Sequence, residues 1–149
     1  MNINFEELAE QLSKSQHEIF WQGGADDIQL YRLEKLLKLN LPQTFKLFLS
    51  TLGGGGVADS EISGIESNDA TLSYGGTVYG DTLAARTDYN LPSHLIVIFY
   101  KDDDTCWCID TKSLTGTIVS YNVFQQKIDC QLAESFEEFF KDYVYRRLQ

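Results

Sequence analysis

The sequence predicts an α+β fold, with helices packed on one face of a twisted, mainly antiparallel β-sheet. Three observations predict it. Helix-period apolar stripes fill the first third of the chain, short β-rich segments joined by turns follow in the second half, and a last amphipathic helix closes it. Strands linked by tight turns pair antiparallel, whereas a parallel sheet would need a helix between each pair. At 149 residues and 43% hydrophobic content, the chain is long enough to bury a core without disulfides or metals. A single domain over residues 1–149 is therefore expected.

Phe5, Leu8, Ala9 and Leu12 recur at helical spacing within residues 3 to 14, so a helix is expected there. Ile19-Phe20-Trp21 reads as a short extended piece ending at Gly23-Gly24. A second helix is expected from Asp26 or Asp27, whose short carboxylates suit an N-cap, through Ile28, Tyr31, Leu33, Leu36 and Leu37 to Asn40. Leu41-Pro42 opens a third, with proline at its first helical position and Phe45, Phe48, Leu49 and Leu52 on one face. Gly53 to Gly56 stop it, and four residues free to take positive φ predict a turn and a mobile loop. From Val57 to Gly80 the chain is rich in Gly, Ser, Asp and Asn, interrupted by a short strand at Ile62-Ser63-Gly64-Ile65.

Leu83 to Tyr89 is expected to form a short helix ended by Asn90 and Pro92. Leu95 to Tyr100 and Thr105 to Asp110, on either side of Asp102-Asp103-Asp104, read as a hairpin, and Gly116 to Tyr121 supplies a third strand. Phe136, Phe139, Phe140, Tyr143 and Val144 form the stripe of the final helix, capped at or just before Ser135.

Twelve basic against 22 acidic residues give a net charge of −10, a field that repels nucleic acid and attracts basic surfaces. Direct nucleic-acid binding is disfavoured on that ground. No run of about 18 apolar residues suggests a membrane span, and no basic region followed by an apolar run opens the chain, so a cytoplasmic location is expected. The cysteines are odd in number, and Cys106 and Cys108 flank one residue, which puts both on one face of a strand; reduced thiols fit that better than a disulfide framework.

Residues that carry chemistry are sparse. His17 and His94 lack neighbouring Cys or carboxylate at a metal-ligand spacing. Cys106 with His94 is the one nucleophile–base pair that can be drawn, and small buried residues on a sheet face are the preferred reading of the cysteines. Asp102 to Asp104 lack the alternating ligands, central glycine and distant glutamate of a calcium loop. Gly53 to Gly56 lack the Gly-Lys-Ser/Thr ending of a phosphate loop. No catalytic residue, cofactor or metal site is assigned.

Gly24-Ala25 before a helix, then Ile28, Leu33-Glu34, Leu37, Leu41-Pro42, Phe45-Lys46, Phe48-Leu49 and Gly53-Gly54 form an ordered set. Leu91-Pro92, Leu95-Ile96-Val97-Ile98, Cys108-Ile109-Asp110-Thr111 and Ser135-Phe136-Glu137-Glu138-Phe139 continue it. Together, over roughly residues 18 to 148, these blocks resemble the SUKH superfamily, named for the fungal cell-wall assembly regulator and related proteins. The run of four glycines is longer than the family's Gly-Gly, and Ser60 to Gly80 matches no family block.

The resemblance implies a non-enzymatic α+β domain. In bacteria such a domain is usually an immunity protein that binds and neutralises a cognate toxin, often a nuclease, delivered by contact-dependent or related secretion. An acidic inhibitor complements the basic surface with which a nuclease holds phosphates. The contact residues expected on that reading are Asp59, Glu61, Glu66, Asp69, Tyr74, Tyr79 and Asp81 in the loop-rich middle, and Asp102, Asp103 and Asp104 at the hairpin turn. A regulatory scaffold that recruits an endogenous partner is the second reading, and a small-molecule-binding domain the third.

Overall fold

A computed structural model of the chain describes residues 3–149. The first helix, α1 (Phe5–Ser13), is capped by Asn4, whose side chain accepts a hydrogen bond from the Glu7 amide at 3.0 Å. Its stripe of Phe5, Leu8, Ala9 and Leu12 is buried as the spacing predicts. Strand β1 (Ile19–Trp21) follows, then α2 (Asp27–Leu37), capped by the Asp26 carboxylate and ended at Lys38, which takes the left-handed conformation at φ 60°. The buried residues of α2 are Leu30, Leu33 and Leu37. Ile28 and Tyr31, expected on that stripe, face solvent at 65% and 60% exposure, because 100° steps from Leu30, Leu33 and Leu37 carry them off its inner side. In α3 (Gln43–Thr51), Pro42 is the capping residue rather than the first helical one, and Phe45, Phe48 and Leu49 point inward.

The glycine run differs most from expectation. Gly55–Val57 is strand β2, antiparallel to β1 with Ile19 opposite Val57 and Trp21 opposite Gly55, and all three residues are buried. Glycine is required there by close approach as well as by torsion. Gly55 has φ 104° and lies against the Phe20 carbonyl, while a Cβ on Gly56, at φ 123°, would sit 2.5 Å from the Tyr143 hydroxyl. The four glycines are thus packed framework, and a mobile loop is not what they form.

Helix α4 begins five residues earlier than expected, at Val78–Tyr89, since Thr77 caps it through the Gly80 amide at 2.9 Å. Strands β3 (Leu95–Asp102), β4 (Thr105–Asp110), β5 (Thr117–Asn122) and β6 (Lys127–Ala133) then form one antiparallel sheet in chain order, and α5 (Phe136–Arg147), capped by Ser135, closes the chain. Strand β6 was not read from the sequence. The class is α+β with every named strand pair antiparallel, which fits the predicted mainly antiparallel sheet.

Alternation along the strands feeds two cores. Ile96, Ile98, Ile109 and Ile118 pack with α1, α3 and α5, where Phe48 meets Phe5, Phe45, Phe136 and Phe140 at ring-centroid distances of 5.6, 5.9, 5.0 and 5.3 Å. Leu95, Val97, Cys106, Cys108, Val119 and Tyr121 face the other way, against Ala85 and Tyr89 of α4. Helix α4 therefore covers the second face of the sheet, an addition to the one-sided layer read from the sequence. It also shields the β3 edge, where the Val97 amide donates to Thr82 Oγ1 at 2.9 Å and the Ser63 amide donates to the Ile98 carbonyl at 2.7 Å.

Candidate protein-binding surface

Residues 58–77, which include most of the stretch from Ser60 to Gly80 that resembles no family block, are an anchored segment. Ile62, Ile65 and Ala70 are buried beneath it, and bridges join Gly55 to Ile62 and Gly64 to Thr77. Its far side is tied to α2: the Asp26 amide donates to Asn68 Oδ1 and Asn68 Nδ2 donates to Asp26 Oδ2, each at 3.0 Å, and the Ala70 amide donates to Gln29 Oε1 at 2.9 Å. The Asn68 side-chain bond first, and then the Gln29 amide that donates to Asp26 Oδ1 at 3.0 Å, hold the Asp26 carboxyl below its ordinary range.

With its apolar residues turned in, the segment turns its acids out. Asp59 and Glu61 are exposed, and Glu66 and Asp69 are half-exposed. Thr71 donates to Asp69 from Oγ1 at 2.6 Å and from its amide at 3.0 Å, which keeps that carboxyl ionised and low in pKa. Tyr74 is 52% exposed, and hydrogen bonding to the neighbouring Glu66 carboxylate raises its phenol above the usual value. Asp59 and Glu61 edge a hollow of about 280 Å³ whose other walls include Ser63, Gly76 and Tyr100. Burial pushes the Tyr100 hydroxyl up, with Cys106 and Asp81 adding to the effect, so it stays protonated and able to donate.

Two expected contact residues are placed otherwise. Asp81 is 8% exposed and sits on the floor of this hollow, accepting from Ser63 Oγ at 2.6 Å and from the Gly76 amide at 3.3 Å. Burial raises its carboxyl above the ordinary range against those two hydrogen bonds. Tyr79 is half-buried and packs on the main core. Both belong to α4, which starts before them, and Asp81 holds the loop from beneath through Ser63 and Gly76. Asp102, Asp103 and Asp104 are exposed at the β3–β4 turn, where the Val123 amide donates to the Asp104 carbonyl at 2.9 Å. They lie on a different feature from the 59–76 segment.

Residues that sequence reasoning placed in the core also build surface. Tyr143 of α5 is buried, yet its hydroxyl receives the Val57 amide at 3.0 Å and donates to the Ser60 carbonyl at 2.7 Å, fixing the segment that carries Asp59 and Glu61. Arg147 stacks on the Tyr143 ring with its guanidinium carbon 3.8 Å from the centroid. Together with Phe99, Trp107, Leu132 and Phe139 these side chains line a groove of about 720 Å³ between α5 and the sheet. A basic pair, Arg146-Arg147, at the end of an amphipathic stripe in so acidic a chain was the signal available for it.

Catalytic geometry does not form from the pair drawn earlier. Cys106 and Cys108 face each other across 3.8 Å within the core beneath α4, and their shared hydrogen bond together with burial raises the Cys108 thiol. His94 instead lies 4.0 Å from Asp110. Among the described residues no group of three or more His, Cys, Asp or Glu is placed to hold a metal ion. No described helix is long and apolar enough to cross a membrane.

A family model described as SMI1-KNR4 cell-wall matches residues 5–145, nearly the whole chain. The chain belongs to this SUKH family. SUKH domains are generally non-catalytic and act through protein–protein contact in immunity or regulation. The architecture is also similar to that of a solved structure, the crystal structure of a protein from Pseudomonas syringae pv. tomato, with a TM-score of 0.68. At 23% identity, over 93% of this chain and 96% of that one, the likeness shows a common fold.

Proposed function

We propose that this SUKH chain is an immunity protein that binds a cognate toxin and blocks its active site or substrate groove. The observation that carries the reading is the outward-facing acidic segment of Asp59, Glu61, Glu66 and Asp69 beside the exposed Tyr74, mounted on a rigid base. A preformed contact loop binds without a large ordering cost, and an exposed tyrosine beside acids is a suitable anchor for a basic partner. The net charge of −10 speeds encounter with such a partner, a nuclease above all. The Asp102 to Asp104 tip adds to that steering from the sheet end.

On this reading the chain works in the cytoplasm, where a nuclease toxin meets its substrate, and needs no cofactor or catalytic residue. The cell-wall wording of the family description favours a second reading, a regulatory scaffold for an endogenous partner. Co-expression with the toxic C-terminal domain encoded directly upstream, followed by a pull-down, separates the two. Survival together with a stable complex supports immunity by binding. Neither survival nor a complex moves the assignment to the scaffold.

A further inference from the structure

We propose that the groove between α5 and the sheet binds a small organic acid, a compound with a flat apolar body and one terminal carboxylate. The site adjoins the acidic segment, sharing Asp59, Ser60 and Tyr100 with the hollow beside it, while Glu61, Glu66 and Asp69 lie outside it.

The floor is aromatic. Phe99 and Trp107 lie with ring centroids 5.0 Å apart, and Phe139 meets Trp107 edge-on at 6.0 Å. Leu132, on the edge strand β6, turns 41% of its surface outward beside them. A volume of about 720 Å³ falls within the span of sites that enclose small ligands, roughly 300–1,000 Å³.

Over this floor a cation is held in place without a counter-ion. Arg147 donates to Ser60 Oγ from Nε at 3.3 Å and from Nη2 at 3.0 Å, and to the Tyr143 carbonyl from Nη1 at 2.9 Å. Each terminal nitrogen of a guanidinium carries a pair of N–H groups, so Nη1 and Nη2 each keep one, and a carboxylate bridges such a pair. Among the described residues no carboxylate comes within 4.0 Å of Arg147, whereas Arg146 beside it is paired with Asp142 at 2.6 Å. Stacking on Tyr143 fixes the plane of the guanidinium before a ligand arrives, which lowers the ordering cost of binding. Asp59, Glu138 and Asp142 on one side and Lys101, Arg146 and Arg147 on the other line the groove, so its charges balance in number, and three carboxylates stand at its rim. They oppose a polyanion such as a nucleotide and leave room for a single carboxylate whose apolar remainder covers the aromatic floor.

The test is a titration of the isotope-labelled chain with phenylacetate and, separately, phenylacetamide, followed by nuclear magnetic resonance at the Trp107 indole N–H. The expected result is saturable movement of that signal by the acid, with the amide weaker by about tenfold or more because it cannot bridge the two N–H groups as an anion. Leu132→Trp, at an already exposed side chain, abolishes binding by filling the groove with an uncharged ring. Arg147→Gln weakens the acid about tenfold and leaves the amide unchanged, with the unfolding midpoint recorded to show that the fold persists. Equal binding of acid and amide, or no movement of Trp107 up to about 10 mM acid, overturns the proposal. A short peptide ending in phenylalanine that binds more than about tenfold tighter than the free acid also overturns it, by assigning the groove to a polypeptide chain end.

Discussion

Tyr143→Phe removes one oxygen atom and leaves the ring, so it isolates what the hydroxyl does for the contact loop. The Val57 amide loses its acceptor at 3.0 Å in a buried position, and the Ser60 carbonyl loses its donor at 2.7 Å nearer the surface. An unpaired buried donor costs about 1–3 kcal/mol, and a lost hydrogen bond where water can substitute costs about 0.5–1.5 kcal/mol. The variant is therefore expected to be less stable by about 2–4 kcal/mol, and a chain of this size with about 5–15 kcal/mol of stability remains folded. With a urea slope of about 2 kcal/mol per molar, the midpoint falls by about 1–2 M at unchanged slope. Burial already holds the Tyr143 phenol neutral, so the effect is the same across ordinary pH. Hydrogen exchange gives the local readout, because the Val57 amide loses protection before the amides of β4 and β5 do. A stability change below about 0.5 kcal/mol, with Val57 still protected, would refute the claim that this hydroxyl fastens the acidic segment.

Phe48→Ala opens a void among four other phenylalanine rings that cannot collapse together, and is expected to cost about 3–5 kcal/mol in urea unfolding. Asp81→Asn tests the floor of the hollow. Burial raises the folded-state pKa of Asp81 above 3.8, so the folded chain holds more protons than the unfolded one above that value, and the contribution of this carboxyl to stability is lost as pH rises. The asparagine variant therefore gains on the wild type as pH rises above 3.8, and parallel pH profiles would count against a buried, proton-retaining Asp81. Replacing Asp102, Asp103 and Asp104 with lysine is expected to slow association with a basic toxin and flatten its salt dependence while the dissociation rate holds; unchanged association removes the tip from steering.

Helices α1, α3 and α5 and the first three strands of the four-stranded sheet were legible because their buried residues recur with a clear period. Phe45, Phe48 and Leu49, and likewise Phe136, Phe139, Phe140, Tyr143 and Val144, stand on helical stripes, and Leu95 to Phe99 is too apolar and β-branched for a surface segment. Strand β6 escaped because residues 127–132 are exposed on both faces, so no buried alternation marks them. The glycines escaped for another reason. A mobile loop and a packed ribbon share the same local sequence, and what distinguishes them here is the Phe20 carbonyl and the Tyr143 hydroxyl, delivered from distant parts of the chain.

At the candidate site the acids were legible as types and their depth was not. Asp59, Glu61, Glu66 and Asp69 reach the surface, whereas Asp81 is enclosed because Thr77 starts α4 early and Ser63 folds over it. The Arg146-Arg147 pair marks the position, but the groove depends on contacts between α5 and residue 60, which that pair does not announce.

The most direct test of the account is the affinity of the chain for the toxin domain encoded beside it, measured for the wild type and for the Asp59→Lys, Glu61→Lys double variant at low and physiological salt. The account predicts tight binding that weakens with salt, and a loss of about tenfold or more in the variant whose fold, by unfolding midpoint, is intact. Tight binding by both proteins alike would contradict it, by showing that the partner is held elsewhere than at the acidic segment.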